Sequence, residues 1–289
     1  MSNKVKDQAN WIETIIKQFV TKSPENSLKN KDNEKAWADP IVGLSSGADP
    51  IYQFYKQDIG EFYFTPLEIF SKTFPDVNVN ADQLRVVSWV LPHTEATKAE
   101  HRKVKKFPTE RWARARIFGE NFNEALRRHV VDSLMSEGIE AVAPILSPLW
   151  GTRVSGKYLI TSNWSERHAA YASGLGTFGL CDGLITPKGK AMRCGSVVVK
   201  VSIPPTRRPY TDHHAYCLFY AKGTCGQCID RCPVGAISKS GHDKMKCSQH
   251  VESMWDYVEK HYGFKGYGCG LCQTGVPCES GIPPEIGLE

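Results

Sequence analysis

The chain has 289 residues, 41% hydrophobic and 23% charged, an ordinary globular composition that excludes a disordered polymer and supplies enough apolar material for a core. Its formal net charge of +5, from 36 Lys and Arg against 31 Asp and Glu, is too small to predict a nucleic-acid partner by itself. No run is long and apolar enough to span a membrane, and Met1 to Asp7 shows neither an apolar export core nor paired arginines, so a cytoplasmic protein with reduced thiols and no membrane partner is expected.

In chain order, Trp11, Ile12, Ile15, Ile16, Phe19 and Val20 recur at the spacing of one helix face. Residues 21–50 are polar and read as a long loop. The β-branched run Leu84 to Leu91, stopped by Pro92, predicts a buried strand. Residues 110–137 predict a helix, with Phe118, Phe122, Leu126, Val130 and Leu134 four apart and Gly138 placed to end it. Ile139–Ile145 and Cys194–Ile203 predict two further strands. Alternating strands and helices argue for an α/β or α+β domain over residues 1–202. The proline-rich stretch after Ile203 cannot continue a central strand, so 203–212 reads as a linker to a short Cys- and Gly-rich domain over 213–289.

Charge is divided unevenly. Residues 213–289 carry 7 basic and 8 acidic side chains, so the excess lies in the first part. Nine basic side chains against three acidic ones fall within 102–128. A solvated helix face and a patch for an anionic group such as RNA are the two readings.

Eight of the ten cysteines lie between Cys217 and Cys278. Clustered thiols in a reducing compartment are metal ligands before they are disulfides. Cys225-x2-Cys228-x3-Cys232-Pro233 is the core of the ligand run of two-cluster ferredoxins, in which the last Cys serves the other cluster. A regular run would begin at position 222, which is Lys222; Cys217 is the nearest upstream thiol. The second half has Cys247, Cys269-x2-Cys272 and Cys278. The crossed scheme gives Cys217, Cys225, Cys228 and Cys278 to one 4Fe-4S cluster, and Cys232, Cys247, Cys269 and Cys272 to another. Cys181 and Cys194 are left over. Two tetrahedral zinc sites are the alternative.

Asn163-Trp164-Ser165-Glu166 reads as a helix N-cap with Glu at the third helical position. The string from Gly174 to Gly179 matches G-x-G-x-x-G, but a helix precedes it where a dinucleotide site needs a strand, which argues against NAD. Ser165-Glu166-Arg167, Tyr171-Ala172, Gly174-Leu175-Gly176, Gly183-Leu184-Ile185-Thr186 and Gly195-Ser196-Val197 resemble the cofactor-binding core of epoxyqueuosine reductases. Lys246-Cys247-Ser248 and Gly266-Tyr267-Gly268-Cys269 resemble their cluster module, and reductive dehalogenases share the architecture. The resemblance spans residues 84–278.

The resemblance implies an α+β chain: a nitroreductase-like α/β domain that holds a base-off cobalamin, followed by a ferredoxin-like module with two 4Fe-4S clusters that feed electrons to cobalt. It implies corrin contacts around Gly176, Leu184, Gly195, Ser196, Ser248 and Gly268. The family's catalytic Asp, six residues before the Glu-Arg pair, is Ile160 here, and the C-terminal helical-repeat extension of many members has no counterpart. The expected function is therefore a cobalamin-dependent oxidoreductase acting on a small organic substrate, fed by a reduced ferredoxin or flavodoxin-type donor. An iron–sulfur carrier or activator for a corrinoid protein, and a tRNA epoxyqueuosine reductase, are the alternatives. Tyr158, Asn163 and Tyr171 are candidates to donate a proton or orient a substrate, with His168 beside them; packing or capping is the competing role of each.

Overall fold

The computed structural model describes residues 3–287. The chain runs α1 (Asn3–Lys22), β1 (Ile41–Ser46), α2 (Ile51–Ile59), α3 (Pro66–Thr73), β2 (Leu84–Pro92), α4 (Glu95–His101), α5 (Glu110–Ser136), β3 (Ala141–Val142), β4 (Thr152–Ser155), β5 (Leu159–Ser162), α6 (Glu166–Ala172), β6 (Thr177–Phe178), β7 (Leu184–Ile185) and β8 (Met192–Lys200). Then follow α7 (Leu218–Lys222), α8 (Gln227–Asp230), β9 (Ile237–Ser238), β10 (Gly241–His242), α9 (Lys244–Glu252) and α10 (Met254–Tyr262). Helices and strands are mixed throughout.

The frame is a four-stranded sheet in the order β1-β2-β8-β3, and every pairing in it is antiparallel. Strands β2 and β8 pair along their whole length, from Leu84 opposite Lys200 to Pro92 opposite Met192. Both of their faces are buried. Val87, Trp89, Leu91, Val197 and Val199 meet Ile12, Ile16 and Val20 of α1 and Phe122, Leu126 and Val130 of α5. Val86, Val90, Cys194 and Val198 face the other way, towards Ile69 and Phe70 of α3 and Ala169 to Ala172 of α6. Covering both faces explains why these strands read as continuous apolar runs rather than alternating ones.

Three segments differ from the sequence reading. The polar stretch 21–50 contains β1, an edge strand whose only sheet neighbour is β2; one-sided pairing lets it carry Gly43, Ser45 and Ser46 and so hides its period. Residues 139–145 supply only the two-residue β3, because Pro144 opens a 3-10 turn directly after it. The third strand is β8, which begins two residues earlier than expected and stops at Lys200. The long helix is α5, capped by Thr109, whose hydroxyl accepts from the Trp112 amide, and Gly138 follows it at φ 73°.

Residues 203–212 are tied to the sheet rather than loose. The Thr206 amide donates to the Leu44 carbonyl (2.8 Å), its hydroxyl accepts from the Leu44 amide (2.9 Å), and Arg208 pairs with Asp49 (3.1 Å). One apolar cluster contains Val86, Leu184 and Ile185 together with Cys217, Cys228, Ile237 and Val276. The cysteine-rich segment therefore shares its core with the sheet instead of building its own, as expected of a short segment with little apolar volume.

Candidate metal centre

Four of the eight clustered cysteines border one cavity. Cys217, Cys225, Cys228 and Cys278 line it with Leu180, Ile185, Phe219, Val276 and Lys190, and it is small, about 20 Å³. Cys217 caps the short helix α7, Cys228 sits on α8, and Cys278 arrives from the loop after Gln273. Cys269 lies close enough to Cys247 and Cys232 to feel their charge, and Cys272 close enough to feel that of Cys269. Burial pushes the Cys269 thiol up to about 11, and burial also raises Cys278. Among the described residues no three Cys, His, Asp or Glu stand close enough to hold a single metal ion. The first set thus borders one cavity without closing into a single-ion site.

The supports of this site were not legible in the motif. Arg231, immediately before Cys232, donates from Nε to the carbonyls of Leu271 (3.1 Å) and Thr274 (2.9 Å). Its other nitrogens reach the carbonyls of Val104 (2.9 Å) and His101 (3.2 Å), so one guanidinium ties both cysteine runs to α4. Buried Glu279 accepts from Arg102 Nε (2.8 Å) and fixes the loop that carries Cys278. The imidazole of His101 is 2.8 Å from the Cys269 carbonyl, and burial drives its pKa down to about 3.

Cys181 and Cys194 part company. Cys194 is buried beside Met192 and its thiol is pushed up to about 12 by that burial, which leaves it inert. Cys181 instead accepts from Lys190 Nζ at 3.2 Å. Cys228 and Cys272 nearby, with the Lys190 ammonium, pull its thiol well below the ordinary range.

A second cavity, about 150 Å³, adjoins Cys269 and is lined by Trp37, His93, Trp112, Arg116, Met192, Arg193, Val251, Tyr267, Gly268 and Gln273 among others. Along one side the rings of Trp37, His93, Trp112 and His101 stack in a column with centroids 4.1–4.6 Å apart. Arg116 lies over the Tyr267 ring at 4.5 Å, and burial lowers its pKa to about 10. The His93 Nδ1 and Arg193 Nη2 atoms are buried without a partner. Orphaned polar atoms of this kind ask for a ligand with its own donors and acceptors; the amide-fringed rim of a corrinoid is one.

Of the six expected corrin contacts, Gly268 lines this cavity, at φ 158°. Ser248 is partly exposed on α9 and bonds Glu252 (3.3 Å). The other four border neither cavity. A Cβ on Gly195 would fall 2.4 Å from the Trp89 ring and one on Gly176 2.3 Å from the Ile185 carbonyl, so both glycines admit protein neighbours. Leu184 is fully buried, and Ser196 accepts from Trp164 Nε1 (3.1 Å) and donates to Glu166.

The three candidate catalytic residues also separate. Asn163 is not a cap: Ser165 holds that position, and Asn163 is buried in a loop, accepting from the Gly151 amide (3.0 Å) and donating to the Leu149 carbonyl (2.8 Å). Its amide can satisfy both backbone groups at once, which a cap cannot. Tyr171 is packed against Phe178 and Tyr210, with Arg208 over its ring. Tyr158 alone has solvent access, on the β4–β5 turn, where its hydroxyl donates to Asp58 at 2.6 Å. Ile160 is 43% exposed on the same hairpin.

The basic stretch 102–128 is largely consumed in internal pairs. Arg102 meets Glu95 (2.7 Å), Arg111 meets Glu34 (2.8 Å), Arg114 meets Glu110 (2.7 Å) and Arg128 meets Glu124 (3.6 Å). Arg127 is buried between Glu120 (3.2 Å) and Glu166 (3.0 Å). Arg116 has no carboxylate partner among the described residues and faces the second cavity, which leaves Lys103, Lys105 and Lys106 for an external anion.

No family model matches the chain. It is 31% identical over 128 residues to an epoxyqueuosine reductase of Bacillus anthracis, a match covering 42% of this chain and 31% of that protein. An epoxyqueuosine reductase of Lactococcus garvieae is 26% identical over 172 residues, covering 57% of this chain and 44% of the relative. The chain thus spans less than half the length of these curated relatives. A solved catabolic reductive dehalogenase superposes with a TM-score of 0.50 at 14% identity, over 95% of this chain and 37% of the other. Part of the chain is thus similar in sequence to epoxyqueuosine reductases, and the chain shares its fold with a reductive dehalogenase.

Proposed function

We propose that this protein is an oxidoreductase that carries two 4Fe-4S clusters and works with a corrinoid. The observation that supports it most is the convergence of Cys217, Cys225, Cys228 and Cys278 on one cavity across some sixty residues of chain, with Cys232, Cys247 and Cys269 grouped beside it. Bound in this way, the clusters supply low-potential electrons one at a time and the corrinoid supplies a strongly reducing metal. The chain's own part is to hold and shield them. Arg231 and Glu279 fix the cysteine loops, and the aromatic column and Arg116 wall the cavity beside Cys269, where Arg193 Nη2 and His93 Nδ1 stand ready for a corrinoid's amides. Tyr158, partnered by Asp58, is the candidate proton donor with access to solvent.

For the substrate, the names of the curated relatives favour the modified nucleoside of a tRNA over the small organic molecule expected from sequence. One feature keeps the second reading. Ile160 stands where the resemblance expects the catalytic Asp, and the 102–128 stretch offers tRNA few free cations.

Anaerobic reconstitution tests the reading. We expect two clusters per chain by iron and sulfide assay, retention of added cobalamin through a desalting column, and damage to one and the same electron paramagnetic resonance signal in Cys217→Ser and Cys278→Ser. Failure to retain any corrinoid sinks the reductase, and loss of different signals in the two variants sinks the crossed ligand sets. Salt-dependent binding of an unmodified tRNA would favour the nucleoside substrate.

A further inference from the structure

Lys190 is 2% exposed, yet it has no carboxylate within ion-pairing distance among the described residues. Its Nζ donates to the Cys181 thiol at 3.2 Å, and its side chain lines the cavity bordered by Cys217, Cys225, Cys228 and Cys278. The position is built. The Lys190 amide donates to the carbonyls of Cys278 (2.8 Å) and Glu279 (3.1 Å), which seats the lysine against the loop of the last cysteine. Gly183 has no Cβ because one would fall 2.7 Å from the lysine's Cδ. A Cβ on Gly189 would fall 2.0 Å from the Glu279 carbonyl oxygen, so the preceding turn is pressed onto the same loop. A buried ammonium is costly unless negative charge lies near it. The Cys181 sulfur is its first partner, and behind that lies the ring of cysteines lining the same cavity, each a thiolate when it ligates a cluster.

We propose that Lys190, with Cys181 as its hydrogen-bond partner, is the buried counter-charge that sets the reduction potential of the cluster held by Cys217, Cys225, Cys228 and Cys278. This rests on the two-cluster reading above. The argument is electrostatic. Reduction adds an electron to an already anionic site, and a fixed positive charge in a low-dielectric cavity favours the reduced form. Lys190 is thus a positioning residue, acting on the cluster's energy and not on a substrate.

The test uses the full chain, reconstituted anaerobically, with iron content and a potentiometric titration followed by electron paramagnetic resonance. In Lys190→Met the iron content should match the wild type, while one of the two midpoint potentials falls by at least a tenfold change in the reduction equilibrium, about 59 mV for one electron. Lys190→Arg, which keeps the charge, should restore most of that shift, and Cys181→Ser should keep all its iron. Iron-loaded Lys190→Met with both potentials unchanged overturns the proposal. Loss of iron in Cys181→Ser overturns it too, by making that thiol a ligand. If Lys190→Met fails to fold, Lys190→Gln decides on the same two readouts. Wild-type protein that takes up no iron sinks the cluster reading itself, a result distinct from any of these.

Discussion

Two buried basic side chains in this protein are handled in different ways. Arg127, 1% exposed, has two carboxylates of the chain, Glu120 and Glu166, at hand. Arg127→Met would leave Glu166 buried without a cation, while Glu120 keeps Arg193 at 3.4 Å, and we expect a loss of about 3 kcal/mol in urea unfolding. His168 shows the opposite case, a base kept neutral. Burial drives its pKa down to about 3, and Ser165 holds its ring at 2.8 Å. Below the unfolded value of 6.5 the unfolded chain takes up a proton that the folded chain refuses, so the stability this group supports is present above pH 6.5 and is lost as pH falls towards 3. The site should contribute a slope of at most about 1.4 kcal/mol per pH unit in that window. Denaturant melts of wild type and His168→Gln at pH 7 and pH 5 should show a smaller acid loss in the variant.

Among the loops and helices, glycine position separates local from tertiary demands. Gly138 ends α5 at φ 73° with nothing within 4 Å of its missing Cβ. Gly138→Ala should therefore cost only the left-handed backbone term, about 1–2 kcal/mol, and leave iron content untouched. Gly189 also has positive φ, at 84°, but its Cβ would overlap the Glu279 backbone. Gly189→Ala should push the Cys278 loop away and lower iron content on reconstitution, a difference that an iron assay of the two variants reads directly. The first glycine was legible in sequence because it follows a helical period. The second was not, because its constraint comes from a residue ninety positions later. Asn163 failed for a similar reason: its type suits a cap, but the groups it bonds, Gly151 and Leu149, lie in a loop no local pattern announces.

At the level of the whole molecule, the cysteine-rich segment and the sheet share one apolar cluster that includes Cys217 and Cys228. Ligands that bind there stabilise the entire fold by linkage. Chelation of the reconstituted protein should lower the melting temperature of a single cooperative transition, rather than melt a separate module first; two resolved transitions by circular dichroism would show that the segment folds apart.

The sequence alone determined what is coded by period and by near-neighbour spacing. The apolar runs of β2 and β8, the four-residue repeat of α5 and the short Cys-x2-Cys intervals are local signals, because strand, helix and ligand loop each recur over a few residues. Tertiary structure decided what joins distant positions. It determined that Cys217 and Cys278 border one cavity, that Cys181 and Lys190 lie beside them, and that most of the basic stretch is spent on Glu34, Glu95, Glu110 and Glu120. Those outcomes depend on packing between residues far apart in the chain, where charge counts and spacing carry no information about which partner will be met.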